Sequence, residues 1–404
     1  MDATSLAADT GRFRVAELRS VVVTSEPLPF NRSSIAGNEL QYVENAVSTS
    51  RTSSRGPHSA QVAELLQEAI GAEGVLLTTS CTAALELSAM LLEIKPGENV
   101  IVPSFTFVST ALAFAREGAE LRFADIEADT LGLDPDSVQD LVDGQTRAVV
   151  PVHYGGIGMR IEQLQALCRP LGVSIIEDNA HGLFGSVGHC PLGSFGRFST
   201  LSFHETKNFS CGEGGALIIN DQRDVARADI LYDKGTNRRM FLENQVDRYT
   251  WVDKGSSFGM SDLLAAYLLG QLEQQSKIME QRKHIFDYYS KLLSPLQRSL
   301  GFQMPAIPAG YESGYHNFYL LISEAARRDA VLQELNESGV TATFHYQPLH
   351  RAEGARPWVK RHFDCPVSES VSSRIIRLPF FNTLTDAECE RVVETLTGAL
   401  HHNE

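Results

Sequence analysis

From residue 73 onward, short apolar runs alternate with stretches of helical period, and that alternation limits the fold more than any other feature of the chain. Gly74–Leu77, Asn99–Val102, Leu121–Ala124, Ala148–Val152 and Val173–Glu177 read as strands. Between them, Ala83–Leu92, Ser109–Arg116, Pro135–Val142 and Ile161–Leu171 carry apolar residues at helical spacing. Strands that are apolar throughout need cover on both faces, and the helix of each βαβ crossover supplies it. The expected fold class is α/β, a large domain on a mostly parallel sheet.

A longer pattern runs from Ser261-Asp262 towards Leu293 and stops at Ser294-Pro295. It predicts one long helix or a broken pair bridging two domains. Beyond it the texture changes, with strands expected at Asn317–Ile322 and Val340–His345 and helices at Arg328–Ser338 and Thr385–Leu400. That is the pattern of a smaller C-terminal α+β domain. The expected division is an N-terminal extension over 1–27, a large domain over 28–270 and a small domain over 271–404.

The net charge of −15 on 404 residues argues against binding nucleic acid or an anionic membrane, so any phosphate must be held by a local set of donors. The six cysteines are scattered without a CxxC pair, which fits neither a disulfide framework nor a zinc site and points to a reducing cytoplasm. No apolar run approaches the roughly 20 residues that span a bilayer, and the first residues lack the apolar core of a signal peptide.

The chemistry-bearing residues fall where strand candidates end. Phe198–Leu201 and Ala216–Ile219 flank Ser202-Phe203-His204-Glu205-Thr206-Lys207-Asn208 and Gly212-Glu213-Gly214-Gly215. Between two strands and among small residues, a lysine amine in a semi-enclosed site can lose its proton and add to a carbonyl; on an open loop it is only a solvated cation. In Thr78–Leu85 a strand ends in hydroxyl residues and a helix opens. That is either a phosphate site at a helix N-terminus or a plain cap by Ser80 or Thr82. Glu177 and Asp178 end another strand, and neighbouring strand residues face opposite sides. They are therefore no acid/base pair: one can line a pocket while the other faces elsewhere, or caps a turn. Phe105 and Phe107 follow a strand and serve either the core or a ligand platform. There is no HExxH, no GxSxG elbow and no GxGxxG after a first strand, so no metal is expected and a nicotinamide site has little support.

Taken together, the lysine stretch, the Gly-Glu-Gly-Gly run, the hydroxyl turn and the carboxylate strand end resemble the DegT/DnrJ/StrS sugar aminotransferases, in motif order over roughly residues 28 to 400. The resemblance implies a fold-type I, aspartate aminotransferase-like transferase that carries pyridoxal 5'-phosphate on Lys207. It implies Asp178 on the protonated pyridine nitrogen, Phe107 against the ring and His181 near the ring hydroxyl. It also implies Thr82, Ala83 and Ser202 on the phosphate, with Cys81 where the family usually has glycine. Where many members read Gly-Tyr-Asn-x-Arg-Met, this chain has Gly255-Ser256-Ser257-Phe258-Gly259-Met260. Ser257 then stands for the asparagine that reaches the neighbouring subunit's cofactor phosphate, in a homodimer with shared active sites. This loop, with Val152-His153-Tyr154 and Phe344-His345-Tyr346-Gln347-Pro348-Leu349-His350, resembles one branch. Its members move the amino group of L-glutamate to C4 of dTDP-4-keto-6-deoxy-D-glucose, giving dTDP-4-amino-4,6-dideoxy-D-galactose. The alternatives are another nucleotide-linked keto-sugar, a sugar dehydratase (in which histidine replaces the lysine), and a non-catalytic cofactor-binding sensor.

Overall fold

The structure is a computed structural model and describes residues 26–403, so nearly all of the expected N-terminal extension lies outside the described residues. Seven strands form the main sheet: β1 (Gly74–Thr78), β2 (Asn99–Pro103), β3 (Glu120–Ala124), β4 (Thr146–Val149), β5 (Ser174–Asp178), β6 (Phe198–Ser202) and β7 (Gly215–Ile219). Their spatial order is β1-β7-β6-β5-β4-β2-β3. The pairs from β6 through β3 are all parallel, whereas β7 is antiparallel to both of its neighbours. The connections explain the difference. Helices carry the chain back between β1, β2, β3, β4 and β5, but β6 and β7 are joined by the lysine loop alone, and a hairpin can only return antiparallel.

Period-two side-chain alternation divides the sheet between two apolar layers. On β7, Leu217 and Ile219 join the core beneath helices Cys81–Leu92 and Gln222–Tyr232. Ala216 and Ile218 join the opposite layer, under Pro57–Ile70 and Asp262–Leu272. On β2, Val100 and Val102 likewise face one cluster and Ile101 another. Each such side chain is essentially sealed, and each Leu, Ile or Val among them contributes about 1.5–3 kcal/mol. Asp262, fully buried, ties the two helices of that second layer together: its carboxylate accepts from the backbone N–H of Ser59 at 2.7 Å and of His58 at 3.3 Å, satisfying the start of Pro57–Ile70.

The long pattern after Ser261 is a broken pair, Asp262–Leu272 and Gln275–Leu293. The passage between units falls inside the second helix, where Ile278 packs with the large sheet and Ile285 with the second core. That second core lies on a three-stranded antiparallel sheet of Phe302–Gln303, Tyr319–Ile322 and Ile375–Arg377. Helices Ala325–Glu337 and Asp386–His402 cover it, the latter opened by a Thr385/Glu388 capping box. Val340–His345 is not the expected strand; it makes only single bridges, Val340 to Leu28 and Thr343 to Arg377. Beyond Thr343 the chain leaves the sheet edge, and His345 and Tyr346 enter a cavity wall instead. Exchange between the units is mutual: Leu28 belongs to the second core, while Leu349, Phe363 and Cys365 belong to the first. Asp125, just after β3, caps helix Pro366–Arg374 through Val367 N and Ser368 N, both at 2.8 Å.

Candidate active site

The sheet brings the C-terminal ends of β1, β5 and β6 to one edge, where ligands of open α/β sheets bind. A cavity of about 580 Å³ opens there, bordered by Ser80–Thr82, Phe107, Asp178, His181, Ser202 and Lys207. Ser257 and Ala83 are not in its wall.

The hairpin places Lys207. The β6–β7 ladder continues past the strands through Phe203 N to Gly214 O at 2.8 Å and Glu205 N to Gly212 O at 2.9 Å. Gly215 permits this, since a Cβ there would stand 2.4 Å from the backbone of Ser80 and Cys81. The Gly-Glu-Gly-Gly run thus lets β7 lie directly against the hydroxyl turn, which sets the lysine loop beside the start of helix Cys81–Leu92. The next residue is clamped by the small domain. Asn208 donates to Gly314 O, its Oδ1 meets His316 Nδ1 at 3.1 Å, and its carbonyl accepts from Asn382 at 3.1 Å. Burial lowers the Lys207 ammonium to about 8, against the opposing pull of Cys81 and Asp178. Its amine is therefore available as a nucleophile and base near neutral pH.

The two adjacent carboxylates take separate tasks. Glu177 points away from the cavity and is fully buried. It accepts from Gly193 N at 2.8 Å, Phe195 N at 2.8 Å, Gly196 N at 2.7 Å and His153 Nε2 at 2.9 Å. Asp178 faces the cavity with one strong partner, Thr110 Oγ1 at 2.7 Å, and a longer bond from Ala180 N at 3.3 Å. Burial pushes its carboxyl up, offset in part by Thr110, Ala180 and Lys207. A carboxylate left this short of donors is suited to a cation brought by a ligand.

His181 stacks on His316 with centroids 4.0 Å apart and rings 17° from parallel. Its Nδ1 accepts from Gly155 N at 3.3 Å, so its proton sits on Nε2, a donor. Burial, then the nearby Lys207 charge, keeps this imidazole neutral. Phe107 is 56% exposed, an apolar ring with one face open. Around the helix start, Ser80 Oγ accepts from Ala83 N at 3.1 Å, which is plain N-capping and occupies the Ala83 N–H. The N–H groups of Cys81 and Thr82 are left to the cavity. Thr82 Oγ1 pairs with Ser109 Oγ at 2.8 Å, and Ser202 adds a third hydroxyl. Cys81 Sγ lies 3.6 Å from Thr200 Oγ1, and burial raises its thiol to about 12, so it is an inert wall rather than a nucleophile. Ser257, expected at the cofactor phosphate, is exposed, bridges to Asp233 and does not border the cavity of its own chain.

Residues distant in sequence complete the wall: His316, His345, Tyr346 and Arg377. His345 and Tyr346 belong to a stretch singled out above. His316 and Arg377 stand in no motif and carried no local signal. Every feature needed for pyridoxal phosphate is represented: an amine, a carboxylate awaiting a cation, a neutral imidazole donor, an aromatic face, and hydroxyls at a helix N-terminus. The fold and this arrangement define a fold-type I pyridoxal-phosphate-dependent transferase.

Comparison with known proteins narrows the class. Residues 33–397 match the DegT/DnrJ/EryC1/StrS aminotransferase family, and the chain belongs to it. Its structure is similar to that of the aminotransferase TlmJ from Streptoalloteichus hindustanus, at 28% identity and a TM-score of 0.85, over 93% of this chain and 99% of that one. It is also similar to a DegT/DnrJ/EryC1/StrS aminotransferase from Brucella abortus, at 26% identity and a TM-score of 0.79, over 89% and 95% of the two chains. The fold is shared with Spr1654 from Streptococcus pneumoniae, described as a sugar aminotransferase in its PMP form, at 24% identity and a TM-score of 0.86, over 93% and 100%.

Proposed function

We propose that this chain is a pyridoxal-phosphate-dependent aminotransferase that moves the amino group of L-glutamate to C4 of dTDP-4-keto-6-deoxy-D-glucose, yielding dTDP-4-amino-4,6-dideoxy-D-galactose. The observation that carries the reading is Lys207: an amine with a lowered pKa, bordering the same cavity as the Asp178 carboxylate and the hydroxyl-lined start of a helix. The sugar and nucleotide rest on the resemblance of the Ser257 loop and the Phe344–His350 stretch to one branch of the family.

When bound, pyridoxal phosphate supplies the electron sink that makes a carbon beside the transferred nitrogen acidic. With the cofactor bound, Asp178 would hold the positive charge of the pyridine nitrogen, and His181 Nε2–H would donate to the ring hydroxyl. Thr82, Ser202 and the N–H groups at the start of Cys81–Leu92 would take the phosphate, where the helix dipole favours negative charge. Phe107 would cover the ring face and limit water. Lys207 Nζ removes the proton from Cα of glutamate in one half of the cycle and delivers one to C4 of the sugar in the other. The same reading takes the protein as a cytoplasmic enzyme whose partners are L-glutamate and a nucleotide-linked keto-sugar.

The stereochemistry is checked at C4. Lys207 delivers its proton to one face of the sugar ring, so a single configuration forms. Incubation with L-glutamate and the keto-sugar is expected to give an axial amine, seen as a small H3–H4 proton coupling. A large trans-diaxial coupling means the gluco product and removes the branch assignment. Multiple-turnover release of 2-oxoglutarate in the same experiment excludes the sensor alternative.

A homodimer with shared sites is part of the same reading. Ser257 is exposed, and Tyr249, Trp251 and Val252, a few residues earlier in the chain, are exposed apolar side chains, as suits a segment that enters a partner's site. Mixing Lys207→Ala chains with Ser257→Ala chains should restore part of the activity, because each hybrid dimer holds one site with both residues intact. A Ser257→Ala homodimer of full activity would remove Ser257 from the phosphate.

A further inference from the structure

Asp178 ends β5 with its carboxylate at the cavity, and two hydroxyls stand in line behind it. Thr110 Oγ1 donates to Asp178 Oδ2 at 2.7 Å, and Thr106 Oγ1 lies 2.9 Å from Thr110 Oγ1. The alignment is made by the turn that opens helix Ser109–Arg116, where Thr110 N bonds to Phe107 O at 3.1 Å and sets Thr110 against Thr106. Asp178 and both threonines are buried, and Ala111, Ala113 and Phe114 of the same helix belong to the apolar core. A buried hydroxyl is costly unless it is bonded. Valine has the same shape without that cost, so filling space does not account for two hydroxyls here.

The chain of bonds has one direction. An ionised carboxylate only accepts, so the single hydroxyl proton of Thr110 is committed to Asp178. Thr110 Oγ1 then accepts from Thr106, whose own proton points down the chain. Bonds aligned head to tail polarise one another, which strengthens the last of them. That last bond favours the charged form of Asp178 and opposes burial, which favours the neutral one. It also fixes one oxygen. Oδ2 is held by Thr110, whereas Oδ1 meets only the longer bond from Ala180 N at 3.3 Å and keeps room for a donor on a ligand. Thr110 does not itself border the cavity, so it acts on a ligand only through Asp178.

We propose that Thr110, oriented by Thr106, is a positioning residue that holds Asp178 ionised and turned towards the cation of the cofactor ring, which rests on the role of Asp178 proposed above. A ring nitrogen keeps its proton in a buried site only while the carboxylate that meets it keeps its charge. A threonine that merely filled space would support any ring of the same shape. One that acts through the carboxylate matters only to a ring that carries the nitrogen.

The test reconstitutes the full-length apo-enzyme with pyridoxal phosphate or with its 1-deaza analogue, in which a carbon replaces the ring nitrogen, and measures both affinities by fluorescence titration. Wild type is expected to prefer the natural ring. Thr110→Val should weaken pyridoxal phosphate by about 10- to 100-fold, the scale of a hydrogen bond to a charged group, and leave the deaza ring within about twofold. Thr110→Ser keeps a hydroxyl and should recover the wild-type preference to within about threefold. Thr106→Val loses a bond between neutral groups, so the preference should fall by about two- to tenfold; if Thr110→Val does not fold, this variant decides. An equal loss on both rings, or an unchanged preference in either valine variant, overturns the proposal. Failure of the underlying reading looks different: wild type would then itself bind the two rings alike, while borohydride would still label Lys207.

Discussion

Lys207→Ala is expected to abolish turnover, with a fall in kcat of at least about 10⁴-fold, because it removes both the covalent anchor and the proton carrier of the two half-reactions. The wild-type protein should be yellow, and borohydride should attach the cofactor to the peptide containing Lys207 and to no other. Label on a different lysine ends the scheme. The variant should still bind the cofactor non-covalently, since Asp178, His181 and the hydroxyls of Thr82 and Ser202 are untouched. The pH dependence follows from the amine. Its pKa is lowered to about 8 by burial, so the nucleophilic fraction grows with pH up to that value and is constant above it. Capture of cofactor by apo-enzyme, measured by borohydride trapping, should rise about tenfold per pH unit below pH 8 and then level off. The stability sign agrees. Between the folded value and the ordinary lysine value the unfolded chain binds more protons, so the apo-enzyme gains stability as pH rises through that window.

Replacing each of the two adjacent carboxylates should produce opposite phenotypes, although they are neighbours in sequence. Asp178→Asn is expected to lower kcat by about 10²- to 10³-fold, the scale for removing one member of a buried charge pair, and to leave the thermal stability of the apo-enzyme unchanged or raised. The reason is that burial already disfavours the ionised form of Asp178 in the empty fold. Glu177→Ala is expected to cost about 3–5 kcal/mol of stability. It strands three backbone N–H groups and His153 in the interior. The activity of the Glu177→Ala protein that remains folded should stay within about threefold of wild type, since Glu177 does not border the cavity. Denaturant titration and single-turnover reaction with L-glutamate separate the two effects. An inactive but fully stable Glu177→Ala protein, alongside an active Asp178→Asn protein, would reverse the two roles.

Local periodicity was enough to reveal the α/β class, because apolar strands and one-sided helices state in sequence which faces must be covered. The strand rule also separated Glu177 from Asp178, since a period of two puts neighbours on opposite sides wherever the strand lies. The Gly-Glu-Gly-Gly run signalled a close approach, but not to what. Only packing revealed that β7 presses its Gly215 against Ser80 and Cys81, that it runs against its neighbours, and that Ala83's N–H is taken by a cap. Val340–His345 alternates like a strand, yet only Thr343 finds the edge strand as its partner. Pairing partners are non-local, and β pattern without a partner decides nothing. Arg377 and His316 illustrate the same limit most clearly. Each is an ordinary residue, Arg377 ending a short strand of the small domain and His316 just before another, and neither has a neighbour in sequence that hints at chemistry. What makes them part of the site is the docking of that domain onto the Lys207 hairpin, where Asn208 meets His316 and Arg377 is buried in the cavity wall. Burial and long-range contacts are properties of the folded whole, so no window of the chain could have displayed them.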